Sequence, residues 1–308
     1  MELSVVTTLY RSKPFLGRFF EQIVAEIKKN GITEYEIVVV NDGSPDDSLE
    51  YCLEAKKQYP QIKIIDLSRN FGQHYALQAG LRYASGEYVY MADNDLETPP
   101  SFFSSCYKTI KEDNSLDLVY GVQESRKGGF IERVGGSIFW KVFNSMCDIN
   151  IPANALTESI FTRRFTNELI RLNDANLFLG GMVHWLGFNK KPITVKKGLR
   201  EGKSTYSFSK RFSLLIHAMT SFSGKPLEWL FYSGICITVL SVVYLIYLII
   251  RKLIWGALIS VGWASIIGIS VLSLGILSAS LGLIGIYVYR IYRQVQGRPN
   301  VVIKQIIE

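Results

Sequence analysis

The chain has 308 residues, 34 Lys and Arg against 27 Asp and Glu, a formal net charge of +7 and a hydrophobic share of 48 %. That length allows a sizeable core and up to two domains, and a mean hydropathy of +0.16 is high for a purely soluble protein, the apolar excess lying after Leu227. Four scattered cysteines, Cys52, Cys106, Cys147 and Cys236, show no metal spacing and read as reduced, buried thiols, and the apolar run Leu3 to Thr8 is too short for a cleavable leader.

Leu3 to Thr8 is the first predicted strand. Pro14 opens a helix whose apolar face carries Phe15, Phe19, Ile23 and Ile27. Glu36 to Val40 is a β-branched strand of the kind buried on both faces. It runs into Asn41-Asp42-Gly43-Ser44-Pro45-Asp46-Asp47, a dense turn signal. Ile62 to Leu67 is the third strand, followed by Ser68-Arg69-Asn70-Phe71-Gly72 and a helix from Gln73 to Tyr83. Tyr88 to Ala92 is short, apolar and aromatic, a fourth buried strand. A helix near Ser101 to Lys111 and a strand at Leu118 to Gly121 follow. This alternation predicts an α/β fold, a mostly parallel sheet with helices on both faces.

Three of these strands end in polar loops, at Asn41 to Ser44, Ser68 to Asn70 and Asp93 to Asp95. In a parallel sheet they share one edge, where open α/β sheets bind ligands. Asp42 can accept hydrogen bonds from a base or ribose, and Arg69 can meet a phosphate bidentately. Asp93 and Asp95 can both turn toward one divalent ion if the backbone curls between them, and a hard cation on a bound diphosphate suits such a pair. Taken alone, Asp, Asn and Pro are ordinary turn residues. No G-x-G-x-x-G follows the first strand and no G-x-x-x-x-G-K-S/T occurs, which disfavours a dinucleotide enzyme or a P-loop ATPase.

The runs Asn41 to Ser44, Leu67 to Gly72, Ala79-Gly80-Leu81 and Gly86 to Pro100, in that order, resemble an inverting family 2 glycosyltransferase of the GT-A fold. Within that family the chain resembles the membrane-bound polyprenyl-phosphate group of dolichol-phosphate mannose synthase and bactoprenol glucosyltransferase. The resemblance implies a Rossmann-like catalytic domain, a nucleotide-sugar donor with a uridine preference, and Mg2+ or Mn2+ as cofactor. It implies donor contacts at Thr8, Leu9, Tyr10, Asp42, Ser44, Arg69, Asn70, Gly72 and Asp93, with Asp93 and Asp95 on ribose and metal. His74 lies beside the nucleotide loop, where it can meet a phosphate. The family's usual Pro-Tyr-Asn-Glu is Leu9-Tyr10-Arg11-Ser12 here, and its Asp-Ala-Asp-Leu-Gln-Asp-Pro-Pro is Asp93-Asn94-Asp95-Leu96-Glu97-Thr98-Pro99-Pro100, which keeps both acids.

Arg126 and Arg133 are candidates for reading an acceptor phosphate, a solvated basic face being the alternative. Ile151 to Ala155 continues the resemblance. The Gly-Asp-Phe-Arg that follows in many members, whose Asp is often proposed as a base, is Leu156-Thr157-Glu158-Ser159 here. Thr157 cannot act as a base at neutral pH. Glu158, displaced by one position, is the first candidate if the acceptor is a sugar hydroxyl. A phosphate monoester carries about 1.5 to 2 negative charges at pH 7, and its attacking oxygen needs no base. Gly202, Ser204 and Tyr206 match the family's Gly-x-Ser-Lys-Tyr, whose basic residues hold the diphosphate. Thr205 stands at the Lys position, so Lys203 and Arg200 are candidate substitutes. Phe208, Phe212, Leu215, Met219 and Phe222 fall on one stripe, an amphipathic helix for the membrane interface, a core helix being the alternative.

Phe231 to Ile250 and Trp263 to Tyr289 are two spans long enough to cross a hydrocarbon core, joined by a turn at Arg251 to Gly262. Lys and Arg number seven between Lys196 and Glu228, two at Arg251-Lys252 and four after Tyr289, which puts both ends in the cytoplasm. Asn300 to Ile307 is a candidate strand, and similar family tails pair with neighbouring subunits, which implies a homo-oligomer, up to a tetramer. The expected organisation is a catalytic domain over 1–206, an interfacial helix over 207–226, a transmembrane hairpin over 227–290 and a cytoplasmic tail over 291–308. The expected function is inverting transfer of a sugar from a nucleotide-sugar to polyprenyl phosphate at a bacterial inner or plasma membrane, with no nucleic acid as partner. The alternatives are transfer to a hydroxyl of a lipid-linked saccharide, and a non-catalytic nucleotide-binding membrane module.

Overall fold

The computed structural model describes residues 1–124, 145, 152, 154–196, 198, 223–255 and 263–308. Four parallel strands form its centre: β1 (Leu3–Leu9), β2 (Tyr35–Asn41), β3 (Ile62–Leu67) and β4 (Tyr88–Met91), in the order β3-β2-β1-β4. Every residue of β2 is buried, as its β-branched run requires of a strand covered on both faces. One face packs against α1 (Lys13–Lys29), α2 (Ser48–Gln58) and α4 (Ser101–Glu112). The other packs against α3 (Gln73–Tyr83), α5 (Arg163–Arg171) and α6 (Leu179–Trp185). Helix α3 lies close because Gly80 faces β1: a side chain there would meet Val6 at 2.4 Å.

Beyond β4 the sheet is mixed. β5 (Leu118–Gln123) does not adjoin β4. The strand β6 (Ala155–Thr162), which the hydrophobic pattern does not reveal, inserts between them and runs antiparallel to both. β7 (Lys190–Val195) then pairs parallel with β5. Glu158 and Ser159, met in the sequence as a departure from a motif, are thus strand residues.

Two long helices follow, α7 (Lys225–Trp255) and α8 (Trp263–Val295), of 31 and 33 residues. α7 takes Arg251 and Lys252 into the helix, where the sequence suggested a turn. At helical rise each is about 46 to 50 Å long. Among the described residues, one segment, Leu272–Val295, is long and apolar enough to cross a membrane. Cys52 and Cys106 are buried thiols, and burial pushes Cys52 up to about 12. Cys236 is exposed on α7 and departs from the expectation of buried cysteines.

The tail ends in β8 (Ile303–Ile307), which pairs antiparallel with β3 of the same chain and closes that edge of the sheet. It is the eighth strand of the central sheet rather than a separate appendage. Arg126, Arg133, Arg200, Lys203, Ser204, Tyr206, Cys147 and the stripe from Phe208 to Phe222 lie outside the described residues.

Candidate functional site

The carboxyl ends of β1 to β4 bring the three polar loops to one edge. The contact between the β2 and β3 loops depends on Gly43. It adopts φ +59, and a side chain there would meet the Arg69 and Asn70 backbone at 2.5 Å. Across this contact Asp42, 3 % exposed, accepts from the N–H groups of Phe71 (2.7 Å) and Gly72 (2.9 Å). The Asn70 amide donates to the Asp42 carbonyl at 3.1 Å. Burial raises the Asp42 carboxyl above its ordinary value, and the two N–H groups and Arg69 only partly oppose it. Both carboxylate oxygens therefore fasten the 69–72 loop, a task the sequence reading did not give to Asp42. Arg69 stays exposed, its guanidinium 4.0 Å from the Phe71 ring centroid and donating to the Asn70 carbonyl at 2.9 Å. Stacking holds the planar fork while leaving further N–H donors for an anion.

At the β1 exit Leu9 is fully buried and offers a ligand no side chain; its carbonyl accepts the Asp42 N–H at 3.1 Å. Tyr10 is 49 % exposed. The Ser44 hydroxyl accepts the Arg11 N–H at 2.7 Å and donates to Asp46 at 2.5 Å, so it shapes the loop. His74 is partly buried, its ring edge-on to Phe178 with centroids 5.7 Å apart. Burial holds its imidazole below the ordinary value.

At the β4 exit the middle residue of the acid pair points inward. Asn94, 9 % exposed, donates to the Thr8 carbonyl at 2.7 Å, and Leu96 at φ +60 turns the chain just beyond. Asp93 and Asp95 on either side are both partly exposed. Asp93 accepts from the Gln73 amide at 3.0 Å, and Asp95 caps the Glu97 N–H at 3.1 Å. Gln73 is a contact of the acid pair that no motif marks. Its place is decided by Gly72, whose φ of +104 starts α3 opposite Asp93. Among the described residues no three His, Cys, Asp or Glu side chains converge as a metal cage. Two hard carboxylates with the remaining positions left to phosphate oxygens and water is the donor set that Mg2+ favours.

Glu158 sits elsewhere. It is 1 % exposed on β6 and accepts the Thr98 hydroxyl. With Asp93, Thr98 and Gln22 it lines a small pocket roomy enough for water. Glu158, a base candidate in the sequence, therefore faces Thr98 rather than open solvent.

Residues 4–173 match the family model described as glycosyl transferase family 2. The chain belongs to that family. A Mycobacterium tuberculosis protein named as a glycosyltransferase is 35 % identical over 308 residues, covering 99 % of this chain and 88 % of the relative. The prophage-derived bactoprenol glucosyl transferase of Shigella flexneri is 29 % identical, covering 99 % and 98 %. An undecaprenyl-phosphate 4-deoxy-4-formamido-L-arabinose transferase of Photorhabdus laumondii is 26 % identical, covering 99 % and 94 %. Two solved structures share the GT-A-like fold. Mannosyl-3-phosphoglycerate synthase of Rubrobacter xylanophilus gives a TM-score of 0.52 at 14 % identity, over 70 % of this chain and 72 % of that one. Glucosyl-3-phosphoglycerate synthase of Mycobacterium tuberculosis, solved with Mn2+, uridine diphosphate and phosphoglyceric acid, gives 0.50 at 16 %, over 71 % and 78 %.

As a family 2 glycosyltransferase the chain is an enzyme, and turnover tests Glu158 directly. Glu158→Gln keeps an oxygen that accepts from Thr98, so it retains at least about a third of the turnover number. A true general base contributes about 10² to 10⁴-fold, and a loss of that size in the Gln variant would assign Glu158 the base role.

Proposed function

We infer that this glycosyltransferase moves a sugar from a nucleotide-sugar, a UDP-sugar first, to the phosphate of a polyprenyl phosphate, with inversion, at the cytoplasmic face of a membrane. The observation that carries this reading is the placing of the three polar loops on one sheet edge with no exposed base at the Glu158 position. A phosphate acceptor arrives already ionised and needs none. Relatives named for undecaprenyl-phosphate and bactoprenol transfer match along 99 % of the chain, long helices included. The structural neighbour holding Mn2+ and uridine diphosphate supports the donor and the metal.

In this reading the loop fastened by Asp42 presents Arg69 to the donor diphosphate. Asp93 and Asp95 would hold Mg2+ or Mn2+, which supplies positive charge to a departing nucleoside diphosphate. Gln73 orients Asp93, and Asn94 pins the loop to β1. α7 and α8 form the membrane hairpin. Each exceeds the roughly 30 Å hydrocarbon core by several turns, which lets the far end of α8 stand clear and meet the catalytic domain. Their described apolar side chains, such as Leu240, Leu253 and Leu272, are 63 %, 80 % and 64 % exposed, as a lipid-facing surface requires.

The test is a panel of radiolabelled UDP- and GDP-sugars against undecaprenyl phosphate in detergent. The expected product is soluble in organic solvent and released by mild acid, the behaviour of a sugar phosphodiester. A product stable to mild acid would assign the acceptor to a sugar hydroxyl instead.

A further inference from the structure

The C-terminal tail is tied to both loops of the candidate nucleotide site. The Ser68 N–H, at the start of the Arg69 loop, donates to the Val302 carbonyl at 2.9 Å. Val301 and Ile303 pack on the same apolar cluster as Phe71 and Tyr75. One residue further, Lys304 lies 3.5 Å from Asp66, whose side chain is 3 % exposed. The other Asp66 oxygen accepts the Asn41 amide at 2.7 Å, and the Asn41 oxygen accepts the Ser44 N–H at 3.1 Å. A continuous run of polar contacts therefore joins Lys304, through Asp66 and Asn41, to the loop that carries Asp42.

The tail is itself anchored. Asn300 donates to the Asp174 carbonyl at 3.0 Å, and Arg293 and Gln294 at the end of α8 bond Asn176 and Ala175 at 3.1 and 2.8 Å. The segment holding those groups is bound to α3 through the Tyr75 hydroxyl, which donates to the Ala175 carbonyl at 2.9 Å. α3 begins at Gln73, beside Asp93. Removing the tail would orphan the Ser68 N–H, bare the apolar edge of β3 and leave Asp66 buried without its countercharge, each of which loosens the loop ahead of Arg69.

We propose that Val301–Ile307 is a positioning segment of the nucleotide site, setting the affinity for the donor's nucleoside diphosphate by bracing the 41–44 and 68–72 loops. This rests on the donor-site reading above. The experiment is calorimetric titration of UDP with Mn2+ into four proteins in nanodiscs: the full chain, a chain ending at Pro299, and the full chain carrying Lys304→Met or Lys304→Arg. The truncated chain is expected to bind at least about tenfold more weakly and to regain affinity on addition of a synthetic peptide of residues 300–308. Lys304→Met is expected to bind about threefold more weakly, with Lys304→Arg restoring the intact value. If the truncated chain does not fold, the Lys304 pair decides alone. Affinity unchanged by truncation, or equal for Met and the intact chain, overturns the bracing role while leaving the donor site standing. An intact chain that binds no UDP overturns the donor reading itself and this inference with it.

Discussion

Asp95→Asn is expected to lower turnover by about 10²- to 10³-fold or more at saturating donor, without unfolding the protein. The substitution separates charge from shape. The Asp95 oxygen that caps the Glu97 N–H at 3.1 Å is replaced by an amide oxygen that accepts the same bond, so the turn before Pro99 persists. What disappears is the negative charge that would hold the divalent ion. Alanine would lose both at once. Melting in detergent should therefore stay within about 2 °C of the parent while initial rates with Mn2+ collapse, because no buried group loses its partner. Asp95→Asn retaining more than about a tenth of the activity, or recovering it without added metal, would remove Asp95 from the ion site.

Asp42 should respond in the opposite way, through stability and donor affinity together. Both of its oxygens accept backbone N–H groups, from Phe71 and Gly72, in a place where the residue is 3 % exposed. Asparagine is no conservative replacement there, since its NH2 group would face an N–H donor. Leaving one such donor unpaired costs about 1 to 3 kcal/mol. The expected result for Asp42→Asn is a fall of about 5 °C or more in melting temperature and a donor KM raised about tenfold, with a smaller change in the turnover number. Freed from its fastening, the loop no longer presents Arg69 in one orientation. If Asp42 instead reads the base across an intact loop, the Asn variant would shift preference between UDP- and GDP-sugars at unchanged melting temperature. That outcome would return Asp42 to the role the motif suggested.

These two residues show what a motif does and does not convey. Asp95 stands in the sequence as one of two acids a residue apart, and its place on the sheet edge follows from the buried strand before it. Asp42 stands in an equally clear turn signal, yet its job depends on the backbone of residues about thirty positions away. Glu158 is the sharper case. Its spacing put it beside a base position, but strand alternation on β6 turned its side chain under the loop to Thr98.

Local residue patterns suffice for the parallel centre of the sheet, the edge where the three polar loops gather, and the two long C-terminal helices. Those features follow from short-range physics: β-branched runs, helical spacing and turn chemistry all act within a few residues. It takes the folded chain to show that β6 inserts between β4 and β5, that Gln73 meets Asp93, and that β8 returns to pair with β3. Strand order and side-chain pairing over long separations are chosen by which faces and hydrogen-bonding edges can be covered together, and no local pattern encodes that competition.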